Sequence, residues 1–427
     1  MEKVKIAVLG LGNVGKGVWE IFENNMTEIK NRSGYEIEIG KILVRDTSKN
    51  RGLHIPNNIL TSDIEEIFAD DDIKIIVELM GGINPAKDYI MRAIESKKHV
   101  VTANKELVAT NGKEIISKAR QNGVLFLYEA SVAGGIPVIR GIEESLTANK
   151  IKEVVGIING TTNYILTKMA HENLDFATAL KEAQEKGYAE ADPTADVDAF
   201  DAMYKLAILT YLSFKTNVSI DNIYREGITN ITSYDIQNAK EFGYTIKLLA
   251  IAKEMDGKLE LRVHPTMIPS THPLSNVNDS FNAVFIKGNA VGDLMLYGRG
   301  AGSLPTGSAV VADIISILRT NMTVTGSSNV ILDMPILPAE NSISQYYIRM
   351  NVHDQSGVLA QIATIFGAND VSLSSIIQKG KNDNLVSLVF ITHKALDGDI
   401  KKSIKLLEQL STVDSIKNVI RVENFDE

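Results

Sequence analysis

The opening 17 residues constrain this chain more than any other stretch. Glu2-Lys-Val-Lys-Ile-Ala-Val-Leu reads as a β-strand. It feeds the turn Gly10-Leu-Gly-Asn-Val-Gly-Lys-Gly17, and an amphipathic helix carrying Trp19, Ile21 and Phe22 follows. In such a strand–turn–helix unit the glycines of Gly10-x-Gly12-x-x-Gly15 have separate duties. Gly10 permits the tight turn, Gly12 lets backbone approach a pyrophosphate, and Gly15 lets helix pack closely on strand. The free N–H groups of the helix N-terminus then form an anion site. The expectation is a nicotinamide dinucleotide site on a doubly wound α/β domain.

Length and composition fit a soluble enzyme of two or three domains: 427 residues, 44% hydrophobic and 23% charged. The net charge of −9 argues against nucleic acid as a general partner. With no cysteine, a thiolate metal site and thiol acylation are both excluded. The 7 histidines form no metal-ligand spacing. Charges alternate through Met1–Lys5 where a signal peptide would be apolar, and no run reaches the ~18 apolar residues of a membrane span. A cytoplasmic chain with no membrane partner is expected.

The first 130 residues alternate strand and helix. Strands are predicted at Lys3–Leu9, Ile37–Val44, Ile73–Leu79, His99–Thr102 and Val124–Tyr128, with helices at Asn84–Ser96 and Lys105–Gln121. In a parallel sheet of this kind ligands bind beyond the carboxyl ends of the strands. That nominates Gly10–Gly15, Met80-Gly-Gly82 and Thr102-Ala-Asn-Lys105 as site segments. Lys105 conflicts with the helix dipole at a first turn, so it is either a surface lysine or a cation that function requires.

Residues 131–302 read as an α+β substrate and dimerisation domain, with helices at Ala199–Phe214 and Ala239–Glu254 and strands at Lys152–Ile158 and Lys258–Pro265. A glycine-rich loop, Met295–Leu304, precedes a helix near 303–320 that is expected to return to the first domain. Residues 321–344 read as a linker. Residues 345–427 repeat no fingerprint but show a βαββαβ pattern, that of a separate small ferredoxin-like domain. The middle helix carries Asp198, Asp201 and Lys205 at i, i+3 and i+7, a polar stripe on an apolar helix. Such a stripe faces either solvent or a polar cavity. Glu190 and Asp192 lie just upstream in Gly187-Tyr-Ala-Glu190-Ala-Asp192-Pro193.

Together these segments resemble homoserine dehydrogenase. The resemblance is carried by Gly10–Gly15, Thr102–Lys105, Tyr128-Glu-Ala-Ser-Val-Ala-Gly-Gly-Ile-Pro137, Gly156-Ile-Ile-Asn-Gly-Thr-Thr-Asn-Tyr164, Gly187–Pro193, Asp201–Lys205 and Gly298–Gly302. It spans roughly residues 1–320 in the family's order. The opening of the tail, Val352-His-Asp-Gln-Ser-Gly-Val-Leu359, is similar to an ACT domain, a module that senses amino acids.

The resemblance implies reversible NAD(P)-dependent hydride transfer between L-homoserine and L-aspartate 4-semialdehyde, in threonine, methionine and isoleucine biosynthesis. It implies that Glu190 and Asp201 bind substrate, that Lys205 transfers the proton and that Lys105 polarises the same oxygen. Gly10, Gly12, Asn13, Val14, Gly15, Arg45, Thr102, Lys105 and Gly300 match cofactor-contacting positions. Glu129, Val132, Gly134 and Ile136 match a monovalent-cation site, implying a structural sodium held by one carboxylate and backbone carbonyls.

Cofactor choice rests on Leu43-Val-Arg45-Asp46. An acid after the second strand favours the free ribose 2′-OH and an arginine favours a 2′-phosphate. Arg45 precedes Asp46, which reads alternatively as a turn cap, so NADP is expected with NAD also accepted. The expected partners are the small-molecule substrate, an amino-acid effector (threonine) at the ACT domain, and further copies of the chain in a homo-dimer or homo-tetramer. Other readings are a different amino-acid dehydrogenase on this scaffold, or a cofactor-binding amino-acid sensor.

Overall fold

The computed structural model describes residues 2–323, 331–382 and 384–425. The chain divides into two compact units. One comprises Met1–Val154, Tyr204–Ile220 and Asn282–Asp333; the other comprises Val155–Met203, Asp221–Phe281 and Met334–Glu427.

The first unit is built on six parallel strands: β1 (Glu2–Leu9), β2 (Tyr35–Leu43), β3 (Leu60–Thr61), β4 (Ile73–Glu78), β5 (His99–Thr102) and β6 (Phe126–Leu127). Their order is β3-β2-β1-β4-β5-β6, and every pairing is parallel. Chain order reverses between β1 and β4, which is where an open α/β sheet leaves a crevice at its carboxyl edge. Ile6, Ile75, Ile76 and Val77 are fully buried, as strands covered on both faces require. The helices Asn13–Ser33 and Ser303–Arg319 pack on one face of the sheet. Val18 and Phe22 meet Val310, Ile314, Ile317 and Leu318 there in a single core. Glycines let the two backbones touch. A Cβ on Gly17 would stand 2.1 Å from the Ser303 carbonyl oxygen, and one on Gly307 would stand 2.9 Å from the Gly17 carbonyl carbon.

Within this unit a strand, Gly292–Arg299, occupies residues from Met295 onward where the sequence predicts a glycine-rich loop. The loop itself is confined to the three residues between Arg299 and Ser303.

In the second unit the order β7 (Tyr244–Met255), β8 (Lys258–Pro269), β12 (Val413–Val422), β9 (Ile343–His353), β11 (Leu385–Thr392), β10 (Leu373–Asn382) runs through one sheet. The helix expected over Ala239–Glu254 is corrected. A helix spans Ser233–Glu241, Gly243 ends it at φ +80°, and Tyr244 opens the strand β7. From Ile246 to Ala252 every residue of β7 is buried. A strand covered on both faces shows no alternation, so its Lys-Leu-Leu-Ala-Ile-Ala-Lys run imitates a buried helix.

The C-terminal segment has its own core, in which Tyr346, Ile348, Ile362, Phe366 and Phe390 pack together. It is not a separate body, however. β12 pairs with β8 in parallel at Thr266↔Arg421 and Met267↔Val422, which makes its four-stranded sheet an extension of the one before it. Two buried polar clusters seal the junction. Arg349 and Tyr347 donate to Asp235 at 2.6 and 3.0 Å. Arg262 donates to Glu260 and Glu423 at 3.0 and 2.6 Å. Burial works to raise the Asp235 carboxyl, and the bonds from Arg349, Thr232 and Asn418 outweigh it, holding the group below the usual carboxylate range. The expected linker lies partly outside the described residues, at 324–330; its later part pairs with β8 through Leu259 N–H to Pro335 O and Leu337 N–H to Leu259 O.

Candidate functional site

The fingerprint turn has the geometry its glycines predict. Gly10 sits at φ +103° and donates its N–H to Leu43 O of β2 at 3.0 Å. A Cβ there would press on Leu79 O at 2.8 Å, and one on Gly15 would press on Gly10 O at 2.5 Å. Around Gly12, by contrast, nothing lies within 4 Å of an added Cβ. Gly12 and Asn13 are exposed, Val14 is half-buried, and the first turn carries no acidic residue. An open N-terminus with unneutralised N–H groups suits a phosphate.

Two further segments border the carboxyl edge of this sheet. Glu78, fully buried at the end of β4, accepts the N–H groups of Met80 and Gly81 at 2.7 and 3.2 Å and the Thr102 hydroxyl at 2.7 Å. The Thr102 hydroxyl also accepts Asn104 N–H at 3.0 Å, so its side chain is committed inward and any ligand contact at this residue is left to its backbone. Asn104 caps the helix Lys105–Asn122 by accepting Leu107 N–H at 3.1 Å, and its Nδ2 donates to Gly82 O at 2.6 Å. The half-buried Lys105 therefore starts from a fixed backbone. The sequence reading missed Glu78. Its signal was faint, an acid closing an apolar strand.

After β2, Asp46 closes a turn by accepting the N–H and hydroxyl of Ser48 at 2.8 and 2.6 Å. Of the two roles open to Asp46, this is the cap. Arg45 is exposed, with no partner among the described residues.

Glu129, Val132, Gly134 and Ile136 share one buried loop. Both Glu129 oxygens are engaged, accepting the N–H groups of Ile139 and Arg140 at 2.8 and 2.9 Å. Burial raises this carboxyl and the two N–H bonds oppose it. Asp313, on the helix Ser303–Arg319, accepts Glu129 N–H at 2.9 Å and an Arg140 nitrogen at 2.7 Å; burial pushes it up to about 7. Ala133 and Gly134 lie at φ +54° and +55°, turning the loop sharply. A Cβ on Gly134 would stand 2.4 Å from Gly300 O. Gly300, expected beside the cofactor, is itself buried against this loop. Two sequence-remote candidate sites are thus neighbours, which no spacing argument could reveal.

In the second unit Asn159 gathers two carboxylates. It caps the helix Gly160–Glu172, accepting Thr162 N–H at 2.8 Å, and its Nδ2 donates to Asp196 at 2.7 Å and to Asp201 at 2.9 Å. Asp201 lies in the first turn of the helix Phe200–Phe214, which belongs to the second unit up to Met203 and to the first from Tyr204; Lys205 is one turn further along it. They are 4% and 8% exposed, so this polar stripe is buried and the solvent-facing reading is excluded. Asp198 does not share the helix. It caps the short helix Thr194–Val197, and Ala199 at φ +65° breaks the chain direction. Glu190 is exposed on its loop, and no bond of its carboxylate occurs among the described residues. Asn159 was missed as a site residue, although an asparagine ahead of Gly-Thr-Thr is a recognisable cap signal.

Comparison with known proteins fits this geometry. The profile for the homoserine dehydrogenase NAD binding domain matches residues 10–129, that for homoserine dehydrogenase matches 137–315, and that for the ACT domain matches 346–412. The chain is 40% identical to homoserine dehydrogenase of Bacillus subtilis, over 99% of both chains. The crystal structure of a homoserine dehydrogenase from Thiobacillus denitrificans superimposes with TM-score 0.94 at 41% identity, covering 99% of each chain. A hyperthermophilic archaeal homoserine dehydrogenase mutant in complex with NADPH matches with TM-score 0.62 at 27% identity, over 74% of this chain and 97% of that one. With a dinucleotide crevice, a buried Asp–Lys helix and an ACT domain in one continuous match, this chain belongs to the homoserine dehydrogenase family of oxidoreductases.

Proposed function

We propose that Lys205 moves the proton in the interconversion of L-homoserine and L-aspartate 4-semialdehyde, with Lys105 polarising the same oxygen. The nicotinamide cofactor, when bound, accepts hydride from C4 of homoserine or returns it to the semialdehyde. In the oxidative direction the Lys205 amine takes the proton from the C4 hydroxyl as the C–H bond breaks; in reverse its ammonium protonates the forming alkoxide. Asp201 and Glu190 hold the substrate, and Asp201 also orients the reacting end. The observation that carries this reading is the Asn159 amide bonded to Asp196 and Asp201, one helical turn from a buried lysine. A carboxylate fixed by its neighbour cannot drift when substrate arrives, and that preorganisation is what catalysis requires.

For the cofactor, Gly10, Gly12, Asn13, Val14 and Gly15 receive the pyrophosphate, while the backbones of Thr102 and Gly300 border the site. NADP is the preferred form, because Arg45 is free to pair a 2′-phosphate while Asp46 is occupied in its turn. A sodium-class ion at the 129–136 loop would be held mainly by the carbonyls of Val132, Gly134 and Ile136. Glu129 would act chiefly through its bonds to Ile139 and Arg140, and the ion's role would be to stiffen the loop under Gly300. The ACT domain binds an amino acid, threonine being the first candidate, and lowers turnover in a homo-dimer or homo-tetramer.

The test is appearance of reduced-cofactor absorbance with homoserine and NADP or NAD. Homoserine-dependent reduction is expected with both, at lower KM for NADP. Dinucleotide binding without reduction would favour a cofactor-binding amino-acid sensor instead.

A further inference from the structure

The side chain of Asn282 is buried beside the candidate cofactor loop at Gly300. It opens the strand Phe281–Gly288 and is 1% exposed. Neither its Oδ1 nor its Nδ2 has a hydrogen-bond partner among the described residues. Its carboxamide lies flat against Gly300: a Cβ built on that glycine would fall 2.0 Å from Asn282 Cγ and Nδ2 and 2.3 Å from Oδ1. Gly300 is thus held between an amide on one side and Gly134 on the other. The next residues are tied to the fingerprint helix, where the Ser303 hydroxyl donates to Asn13 O at 2.7 Å.

A buried carboxamide with both polar atoms unpaired is unfavourable, and leucine, of similar size, would fill the same volume without that cost. An asparagine there implies a second arrangement in which its donor and acceptor are met. The peptide units that can meet them are those it touches, on either side of Gly300. From Gly300 to Gly302 the loop carries no side chain larger than a methyl group, so its peptide units can rotate in place while Gly300 stays packed between Asn282 and Gly134.

We propose that Asn282 is a positioning residue for the dinucleotide: when cofactor binds, the peptide units flanking Gly300 rotate against the Asn282 carboxamide they already touch, which then accepts a backbone N–H and donates to a backbone carbonyl of that loop. The inference rests on the reading that Gly300 borders the cofactor. In the cofactor-free protein the amide contributes nothing to stability. In the bound protein it fixes the loop against the nicotinamide half.

The experiment compares the full-length wild type with Asn282→Leu. Urea denaturation without cofactor should give the variant equal or greater stability, while its Kd for NADP, from fluorescence titration, rises about tenfold, and Asn282→Gln fails to restore it. Lower cofactor-free stability, or an unchanged Kd, would overturn the proposal. If the variant does not fold, hydrogen exchange on the wild type decides: the amides of Gly300 and Ala301 should gain protection with saturating NADP, and equal exchange would count against it. A wild type that binds no dinucleotide would instead overturn the cofactor reading of Gly300 itself.

Discussion

The three fingerprint glycines should respond differently to the same substitution. Gly15→Ala puts a methyl group 2.5 Å from Gly10 O, a backbone atom that no rotamer change can move. Relief requires a backbone shift of roughly 0.7 Å, and overpacking of this kind costs about 1–3 kcal/mol. Gly10→Ala adds a left-handed φ of +103° to a 2.8 Å contact with Leu79 O, in the same range or worse. Gly12→Ala meets nothing within 4 Å and keeps an allowed backbone at φ −79°, so only its weaker capping is lost, about 1 kcal/mol or less. On the proposed reading its cost should appear in ligand binding, because the added methyl group would stand between an approaching phosphate and the first N–H groups. Losing one charged hydrogen bond is worth about 1.5–3 kcal/mol, roughly 10- to 150-fold in Kd. The only tryptophan, Trp19, lies on this helix and serves as a fluorescence probe. Urea denaturation and NADP titration together give the assay. A Gly12→Ala protein with wild-type affinity, or one as destabilised as Gly15→Ala, would show that the three glycines do not divide their duties in this way.

Arg45→Ala should weaken NADP by about 1.5–3 kcal/mol and leave NAD nearly unchanged; equal loss for both would make Arg45 a fold residue. His264 is fully buried between Arg262 and Arg421, and burial first, then these cations, push its pKa well below 6.5. Below that pH the unfolded chain binds a proton that the folded chain refuses, so stability falls as the solution is acidified, by up to about 1.4 kcal/mol per pH unit from this group. His264→Gln should flatten that acid limb in urea midpoints measured from pH 7 to 5, and an unaltered slope would clear His264 of the effect. Threonine should bind the full chain and lower turnover, and Gly357→Val, at φ +89°, should blunt both responses; binding without any change in rate would remove the regulatory role. Truncation is a poor test here, since it would remove β12 from the edge of β8 that faces away from β7 and Arg349 from Asp235.

What the sequence made legible was local. Strand, glycine turn and helix follow one another in the first unit, and backbone conformation there is dictated by neighbours a few residues away, so β1, β2, β4 and β5 fall within two residues of expectation. The C-terminal βαββαβ pattern was legible for the same reason. The strand β7 was not, because burial on both faces erases the period that separates strand from helix. Nor were the long-range partnerships: Asn159 with Asp196 and Asp201, Glu78 with Thr102, Gly134 with Gly300. Each joins residues more than 20 positions apart, and spacing along the chain carries no information about such pairs. The expected stripe of Asp198, Asp201 and Lys205 failed at Asp198 for a local reason, the positive φ at Ala199.

Everything proposed for the chemical step turns on proton transfer by Lys205. Its most direct measurement is kcat for homoserine oxidation by Lys205→Ala, with the NADP dissociation constant measured on the same preparation. A general acid–base group contributes about 10²–10⁴-fold, so kcat should drop by at least a hundredfold while dinucleotide affinity stays within about twofold. A folded Lys205→Ala enzyme turning over at near wild-type rate would show that another group moves the proton.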